Sequence, residues 1–576
     1  MTRTSRPVVR AARRATRSLA RAATRWMDAV VRWGRLPAPP PPAGRRFVIV
    51  QVCGCSHRVL ERALARGRMP ALRRLLRRGL LRLHRIPAGL PTSTPAFQAA
   101  LMYGVPVDIP GFEFLDKRAG LYRWFPRPWD AAAIEAAHAA RGRGILRGGR
   151  AYGSVFAGGA EDAVLTFARL LRPYPPWGRL GLRARIVPFL ALAWVGVRMS
   201  GLGAWALLRW AVGALGAGRG GREAVPLREF LVRLLVSGWL RELFTLGATL
   251  DLYGGVPALY VNFVDYDVQA HKLGPEHPRA MAALRAVDRS IARIARTVRR
   301  LPDLGYDLFV LSDHGQIRSV PFHSVAPRES VAGIVRACFG APSGGPGAAS
   351  EIAPTPEAPP PMPLSPFAPR WQRAASYLEG SVHERNAVWV DELCVVPAGP
   401  NVNVYLTHTR ERVLAEEIER RYPGALERLS RHPAIGFVLT RAAAGPVCYY
   451  RGEVLCIPPA PGPTGCPVFD RPDRDIVVRA LRELLDMPSG GDVILYGHHA
   501  PAGCVNFLDE RGSHAGPSEP ELYAFFAAPP RVPLPDDIAG PRDLHGVFER
   551  YHRAAAGPPP GPWSGMADAG EAVADG

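Results

Sequence analysis

The chain reads as an α/β protein, a three-layer sandwich in which a mostly parallel sheet carries helices on both faces and a helical cap is inserted. Three apolar runs predict it. Phe47 to Val52 is β-branched and unbroken until Gly54, and Ser56 to Gly79 follows with helical patterning, punctuated at Met69-Pro70. Ala258 to Val264 repeats the theme ahead of a helical Pro278 to Arg300, and Tyr306 to Leu311 supplies a third run. Continuously apolar strands alternating with helices imply a sheet buried on both faces, and parallel sheets are buried in that way. Chemistry in such sheets gathers beyond the carboxyl ends of the strands.

The remaining organisation follows from composition. Residues 1–36 interleave arginine with Val9, Leu19, Trp26, Val30 and Trp33, which predicts a cationic amphipathic helix suited to a membrane interface, a helix docked on its own domain or a basic arm. A Pro-rich linker spans 37–45. The catalytic domain is expected over 46–554, with a helical cap at 105–250, a disordered Pro/Ala/Gly excursion at 341–370 and a disordered tail at 555–576. Inside the cap, Ile186 to Ala217 is strongly apolar but holds Arg198 and Arg209, whose cost in a bilayer favours a buried or interfacial helix over a span. After the excursion, AVWVDELCVVP, NVNVYLTH and IGFVLTRA read as strands and Glu411 to Arg421 as a helix, a second α/β portion.

Charge excludes less than it suggests. The net charge of +23 is almost all arginine, because lysine occurs only at Lys117 and Lys272. Arginine is scattered along the chain and no aromatic-basic module accompanies it, which argues against a specific nucleic-acid partner and leaves an anionic substrate or membrane surface. The eight cysteines are sparse and irregular, as in reduced intracellular thiols, and the N-terminal segment lacks a signal-peptide apolar stretch. The expected location is therefore the cytoplasm or the inner face of the membrane.

Three segments carry metal or nucleophile chemistry. In VNFVDYDVQAHKLGP, Asp267 and His271 stand four residues apart and share one helical face, an arrangement that can ligate a divalent cation or form a surface ion pair. Asp265 is spaced less suitably. In LFVLSDHGQ, Asp313 and His314 leave a strand end and Gly315 allows a sharp turn. In AGLPTSTPAFQAALMYG, Thr92, Ser93 and Thr94 precede a helix whose free N–H groups favour a phosphate, although any of the three could simply cap it. His277, His498 and His499 read as bystanders.

Taken in order, PTSTPAFQAALMYG, DVQAHKLG and SDHGQ resemble the type I phosphodiesterase/nucleotide pyrophosphatase branch of the alkaline phosphatase superfamily. VIVQVCG with GRMPALRRLLRRG ahead of them, and RGSHAG near the C-terminus, match the same pattern, so the resemblance runs from Phe47 to His514. It implies Thr94 as nucleophile, a zinc ion held by Asp267, His271 and His514, and a second held by Asp313, His314 and the residue after the first strand. The family places aspartate at that last position; here it is Cys53. A thiolate suits zinc and does not suit magnesium or manganese, so Cys53 implies either a sulfur-containing zinc site or a weakened one. The resemblance further implies a covalent phospho-threonine and hydrolysis of a phosphodiester or phosphomonoester, the substrate being a small molecule or lipid-derived. A transferase on the same fold, or a catalytically weakened membrane-associated relative, is the alternative. A sulfatase is disfavoured because Cys456-Ile-Pro-Pro-Ala lacks the arginine such enzymes need.

Overall fold

A computed structural model describes residues 45–125, 127–170, 235–340, 352, 386–500 and 502–553. The central sheet has seven strands in the order Arg82–Pro87, Tyr523–Ala528, Tyr306–Leu311, Arg46–Val52, Ala258–Phe263, Arg150–Tyr152 and Asp162–Val164. The five strands from Tyr306–Leu311 to the Asp162–Val164 edge run parallel; Tyr523–Ala528 runs against them, and Arg82–Pro87, antiparallel to Tyr523–Ala528, runs with them again. Register places Val52 opposite Phe263 and Gln51 opposite Leu311, so the three apolar strands end at one level. The residues that follow them therefore emerge at one rim.

Alternation along Arg46–Val52 feeds two separate cores. Phe47 and Ile49 face the Thr94–Tyr103 and Pro541–Arg553 helices, whereas Val48, Val50 and Val52 face His57–Ala65, Pro70–Arg77 and Pro278–Arg300. The long helix Pro278–Arg300 buries Met281, Leu284, Val287, Ile291, Ile294 and Val298 at helical spacing. Each such side chain, fully buried, is worth about 1.5–3 kcal/mol. Asp288 on its inner face accepts from Ala71 N and Leu72 N, both at 2.9 Å, and so caps the helix that begins at Pro70. The mostly parallel sandwich expected from the three apolar runs is the architecture observed.

The structure gives detail to two expectations. The second α/β portion after the excursion has a sheet of its own. It is antiparallel and has seven strands: Val388–Val390, Leu393–Ala398, Asn401–Leu406, Val493–Gly497, Ile435–Ala442, Gly445–Tyr450 and Glu453–Cys456. The cause is connection length: Gly399-Pro400 and Asp391-Glu392 leave room only for hairpins, with Gly399 and Asp391 in the left-handed region. The insertion at 105–250 is not wholly helical. Arg150–Tyr152 and Asp162–Val164 complete the edge of the central sheet, and Glu113–Asp116 pairs with Leu121–Trp124 as a hairpin.

Lys117, from that hairpin, reaches Asp492 at 2.8 Å and the Glu411 carbonyl at 2.6 Å, so the insertion is tied to the second sheet by a buried ion pair. Segments 1–36 and 37–44, the apolar run within 186–217, the tail from 554 and all but Ile352 of 341–370 lie outside the described residues. Among the described residues no helix is long and apolar enough to cross a membrane.

Candidate active site

Cys53 is the first residue beyond the central strand, and its N–H donates to the Phe263 carbonyl at 3.0 Å, which continues the ladder by one step. Gly54 then turns in the left-handed region at φ +70°. A Cβ there would collide with Asp267 Oδ1, so the glycine is required by the neighbouring carboxylate as well as by its own backbone. Asp267 lies in the first turn of the Asp265–Leu273 helix, which starts directly after the adjacent strand, and His271 stands one turn later. Asp313 and His314 follow the third strand, and Thr94 opens the helix Thr94–Tyr103.

These elements converge on Thr94. Its hydroxyl donates to Asp313 Oδ2 at 2.6 Å and lies 3.2 Å from both His314 Nε2 and Cys53 Sγ. The Asp313 carboxylate is held on every side: Oδ1 accepts from Gly54 N at 3.0 Å and His314 N at 3.1 Å, and Oδ2 accepts from Gln51 Nε2 at 2.6 Å and Cys53 Sγ at 3.3 Å. Donors on both oxygens fix the plane of the carboxylate. His314 gives Nδ1 to the Gly315 carbonyl at 2.9 Å, which leaves Nε2 facing the threonine. The other hydroxyls of the TST run are separated by geometry. Thr92 bonds the Gly516 carbonyl and Ala515 N, and Ser93 is buried with no partner for its hydroxyl among the described residues.

A second group adjoins the first. Asp267 Oδ2 is 3.5 Å from His271 Nε2, and the His514 ring centre lies 5.0 Å from that of His271, edge to face, and 3.9 Å from that of His314. His514 Nδ1 is 2.6 Å from the Thr92 carbonyl, so its Nε2 is the nitrogen left for a ligand. Two sets of donors thus lie close enough to hold a cation: Cys53, Asp267 and His314, and Asp267, His271 and His514. Asp267 belongs to both, and Asp313 stands one contact behind, bonded to the threonine. All seven site residues read from the sequence therefore meet at one rim. Asp265 instead pairs with Arg241 from the insertion, His277 caps the Pro278–Arg300 helix through Arg279 N at 3.2 Å, and His499 is exposed in a short strand.

The electrostatics divide the donors: Asp267 and His514 are held in the deprotonated form that ligates a cation, whereas Cys53 and His271 are held in their protonated forms. Burial raises the Cys53 thiol well above its ordinary value, and Asp267 and Asp313 add to the effect. Burial also opposes ionisation of Asp267, yet the charge of His271 outweighs it and the carboxyl sits far below its usual range. Burial and the charges of His314 and His271 push His514 down to about 3, which keeps its imidazole neutral as a metal ligand must be. His271 moves the other way: burial lowers it, but Glu510 and Asp267 raise it well above its ordinary value.

Glu510 was not visible in the sequence. It stands 3.0 Å from His271 Nδ1, without the alignment of a hydrogen bond, and is itself lowered to about 2, burial being overcome by His271. Gln51, Gln98 and Gln316 were missed as well. Gln316 Nε2 donates to Asp267 Oδ1 at 2.5 Å. No spacing rule marks these residues, since each meets its partner only through the sheet topology.

Glu521 supports the loop that carries His514. Its carboxyl accepts from Gly516 N at 2.9 Å and from the Ser518 hydroxyl, and burial pushes it up to about 7. A carboxyl raised in this way contributes stability below its ordinary value near 4.5 and loses that contribution as pH rises through 7. The chelated protein is expected to lose roughly 3 kcal/mol across that window, and Glu521→Gln to flatten the slope. Thermal unfolding of both proteins at pH 5 and pH 8 measures it, and equal slopes would show that the group does not titrate as described.

Residues 184–398 match a model of the family described as type I phosphodiesterase / nucleotide pyrophosphatase, a span that includes Asp267, His271, Asp313 and His314. Phosphonoacetate hydrolase from Sinorhizobium meliloti 1021, solved with phosphonoformate, is 16% identical with a TM-score of 0.42, covering 90% of this chain and 97% of that one. Murine ectonucleotide pyrophosphatase/phosphodiesterase 5, solved as an inactive form with AMP, is 10% identical with a TM-score of 0.43 over 90% and 97% of the two chains. No curated protein matches the chain. Four of the strand-tip ligand candidates thus fall inside the span over which the chain is similar to the type I phosphodiesterase / nucleotide pyrophosphatase family.

Proposed function

We propose that this site hydrolyses a small phosphate ester through a covalent phospho-threonine at Thr94, with two divalent cations, zinc in both positions. The observation that carries the reading is the Thr94 hydroxyl, within 3.2 Å of Asp313, His314 and Cys53 at the N-terminus of a ten-residue helix.

The donor sets fit such ions. Asp267, His271 and His514 would hold one, and Cys53 with His314, Asp267 and the adjoining Asp313 would hold the other. The sulfur donor favours zinc over the hard cations. Bound there, such ions would supply charge stabilisation to the reacting phosphoryl group.

The chain's own groups do the rest. Asp313 Oδ2 receives the Thr94 O–H, which orients the oxygen, and the helix N-terminus behind it favours an anionic phosphoryl group. Attack forms a bond between Thr94 Oγ1 and phosphorus and breaks the ester P–O bond, the leaving oxygen departing as an alcohol with the proton that Thr94 gives up; water then forms a new O–P bond, breaks the Oγ1–P bond and returns a proton to Thr94 as the phosphate product leaves. A lipid-derived ester at the cytoplasmic face of a membrane suits the cationic amphipathic pattern of residues 1–36.

The test is metal analysis of the purified chain together with turnover of p-nitrophenyl phosphate and bis-p-nitrophenyl phosphate. About two zinc ions per chain are expected, with turnover lost to a chelator and restored by zinc. Metal-free protein that zinc does not activate would overturn the reading.

A further inference from the structure

Beneath the Thr94 hydroxyl lies a row of buried amides whose direction is set by the backbone. Val155 N donates to Gln98 Oε1 at 2.8 Å, Gln98 Nε2 donates to Gln51 Oε1 at 3.0 Å, and Gln51 Nε2 donates to Asp313 Oδ2 at 2.6 Å. The Tyr260 hydroxyl also donates to Gln51 Oε1. Gln51, Gln98, Tyr260 and Asp313 are fully buried.

A primary amide can ordinarily exchange its oxygen and nitrogen ends, but here neither can turn. Val155 N–H can only donate, so Gln98 must present its oxygen to it and its NH₂ to Gln51. Reversing Gln51 would set its NH₂ against that of Gln98 and its carbonyl oxygen against the Asp313 carboxylate. Polarity therefore runs one way, from a backbone N–H in the insertion to the carboxylate that orients the nucleophile.

The placement also explains an oddity of the sequence. Gln51 interrupts an otherwise apolar central strand, where a buried amide without partners would cost stability. Gln98 sits four residues after Thr94, one turn along the same helix, so that helix supplies both the hydroxyl and the brace behind it.

We propose that Gln51 is a positioning residue, braced by Gln98, that holds Asp313 Oδ2 toward Thr94. The inference rests on the reading of Thr94 as nucleophile. Without the Gln51 donor, Asp313 keeps its two backbone bonds on Oδ1, but Oδ2 loses its 2.6 Å amide partner and, besides the threonine, retains only the longer 3.3 Å contact from Cys53 Sγ, so its aim at Thr94 loosens. A packing role alone would appear as lost stability with kcat of the folded protein unchanged. A one-way chain predicts kcat effects shared between residues 51 and 98.

Gln51→Met, Gln98→Met and the double variant are compared with wild type and with Thr94→Ala in bis-p-nitrophenyl phosphate turnover. Gln51→Met is expected to lower kcat by about 30-fold with KM changed by less than about three-fold, and Gln98→Met to lower kcat by about five-fold or more. The double variant should be no slower than Gln51→Met within about two-fold. Independent, multiplying losses would overturn the proposal, as would a KM effect without a kcat effect. If Gln51→Met does not fold, Gln98→Met decides alone, and unchanged kcat there also overturns it. A wild-type rate in Thr94→Ala, or an inactive wild type, sinks the catalytic reading beneath it. An inactive Thr94→Ala beside unimpaired glutamine variants sinks only the positioning role.

Discussion

Thr94→Ala is expected to lower kcat toward phosphate esters by about 10³-fold or more, because no other hydroxyl stands where the threonine does. Thr92 is spent on Gly516 and Ala515, and Ser93 precedes the helix with its hydroxyl buried and without a partner among the described residues. Alanine is tolerated at a helix start, and Asp313 retains donors from Gln51, Gly54 and His314, so the fold should survive the change. Circular dichroism and zinc content should therefore match wild type while turnover disappears. Thr94→Ser keeps the oxygen and should retain a measurable fraction of the rate. Turnover in Thr94→Ala within ten-fold of wild type would transfer the chemistry to another group and leave the strand-tip cluster as a metal site without this nucleophile.

Much of that cluster was legible before any coordinates, for identifiable reasons. Phe47 to Val52, Ala258 to Phe263 and Tyr306 to Leu311 are buried on both faces, so composition alone separates them from their surroundings. Pro278 to Arg300 shows the same helix limits in sequence and structure, because a proline opens it and its apolar positions recur with the helical period. Asp267 and His271 needed only the helical repeat.

The illegible parts depend on contacts between distant segments. Glu510 meets His271 across 239 positions of chain, and nothing near Glu510 announces a histidine partner. The antiparallel pairing of the second sheet was not read, because its strands are as apolar as parallel ones; the short hairpin links were the signal, and Gly399-Pro400 was the place to read it. Arg150–Tyr152 and Asp162–Val164 are three residues each, too short to display a period, and their edge position exists only once the Ala258–Phe263 strand is beside them. Gln51 sits in an apolar strand with no local signal of a role. Its meaning came from Asp313.

Gly54 concentrates the consequences of that topology in one backbone position. Substituting alanine imposes two separable penalties. The first is conformational: φ of +70° costs an L-residue about 1–2 kcal/mol. The second is local, since the added methyl occupies the space of Asp267 Oδ1 and must displace the one carboxylate that both donor sets share. Gly67 isolates the first penalty, because it also has a positive φ, +63°, but a Cβ there meets nothing within 4 Å and it lies away from the rim. Gly67→Ala should thus lower the melting temperature modestly and leave kcat and zinc content unchanged. Gly54→Ala should lower stability at least as much, reduce zinc below the wild-type stoichiometry and cut turnover by about 10²-fold or more, since displacements near 1 Å at a reacting centre have effects of that size. Gly54→Ala with full zinc and wild-type turnover would mean that Asp267 moves aside without consequence, and that the shared carboxylate is not what holds the two sets of ligands together.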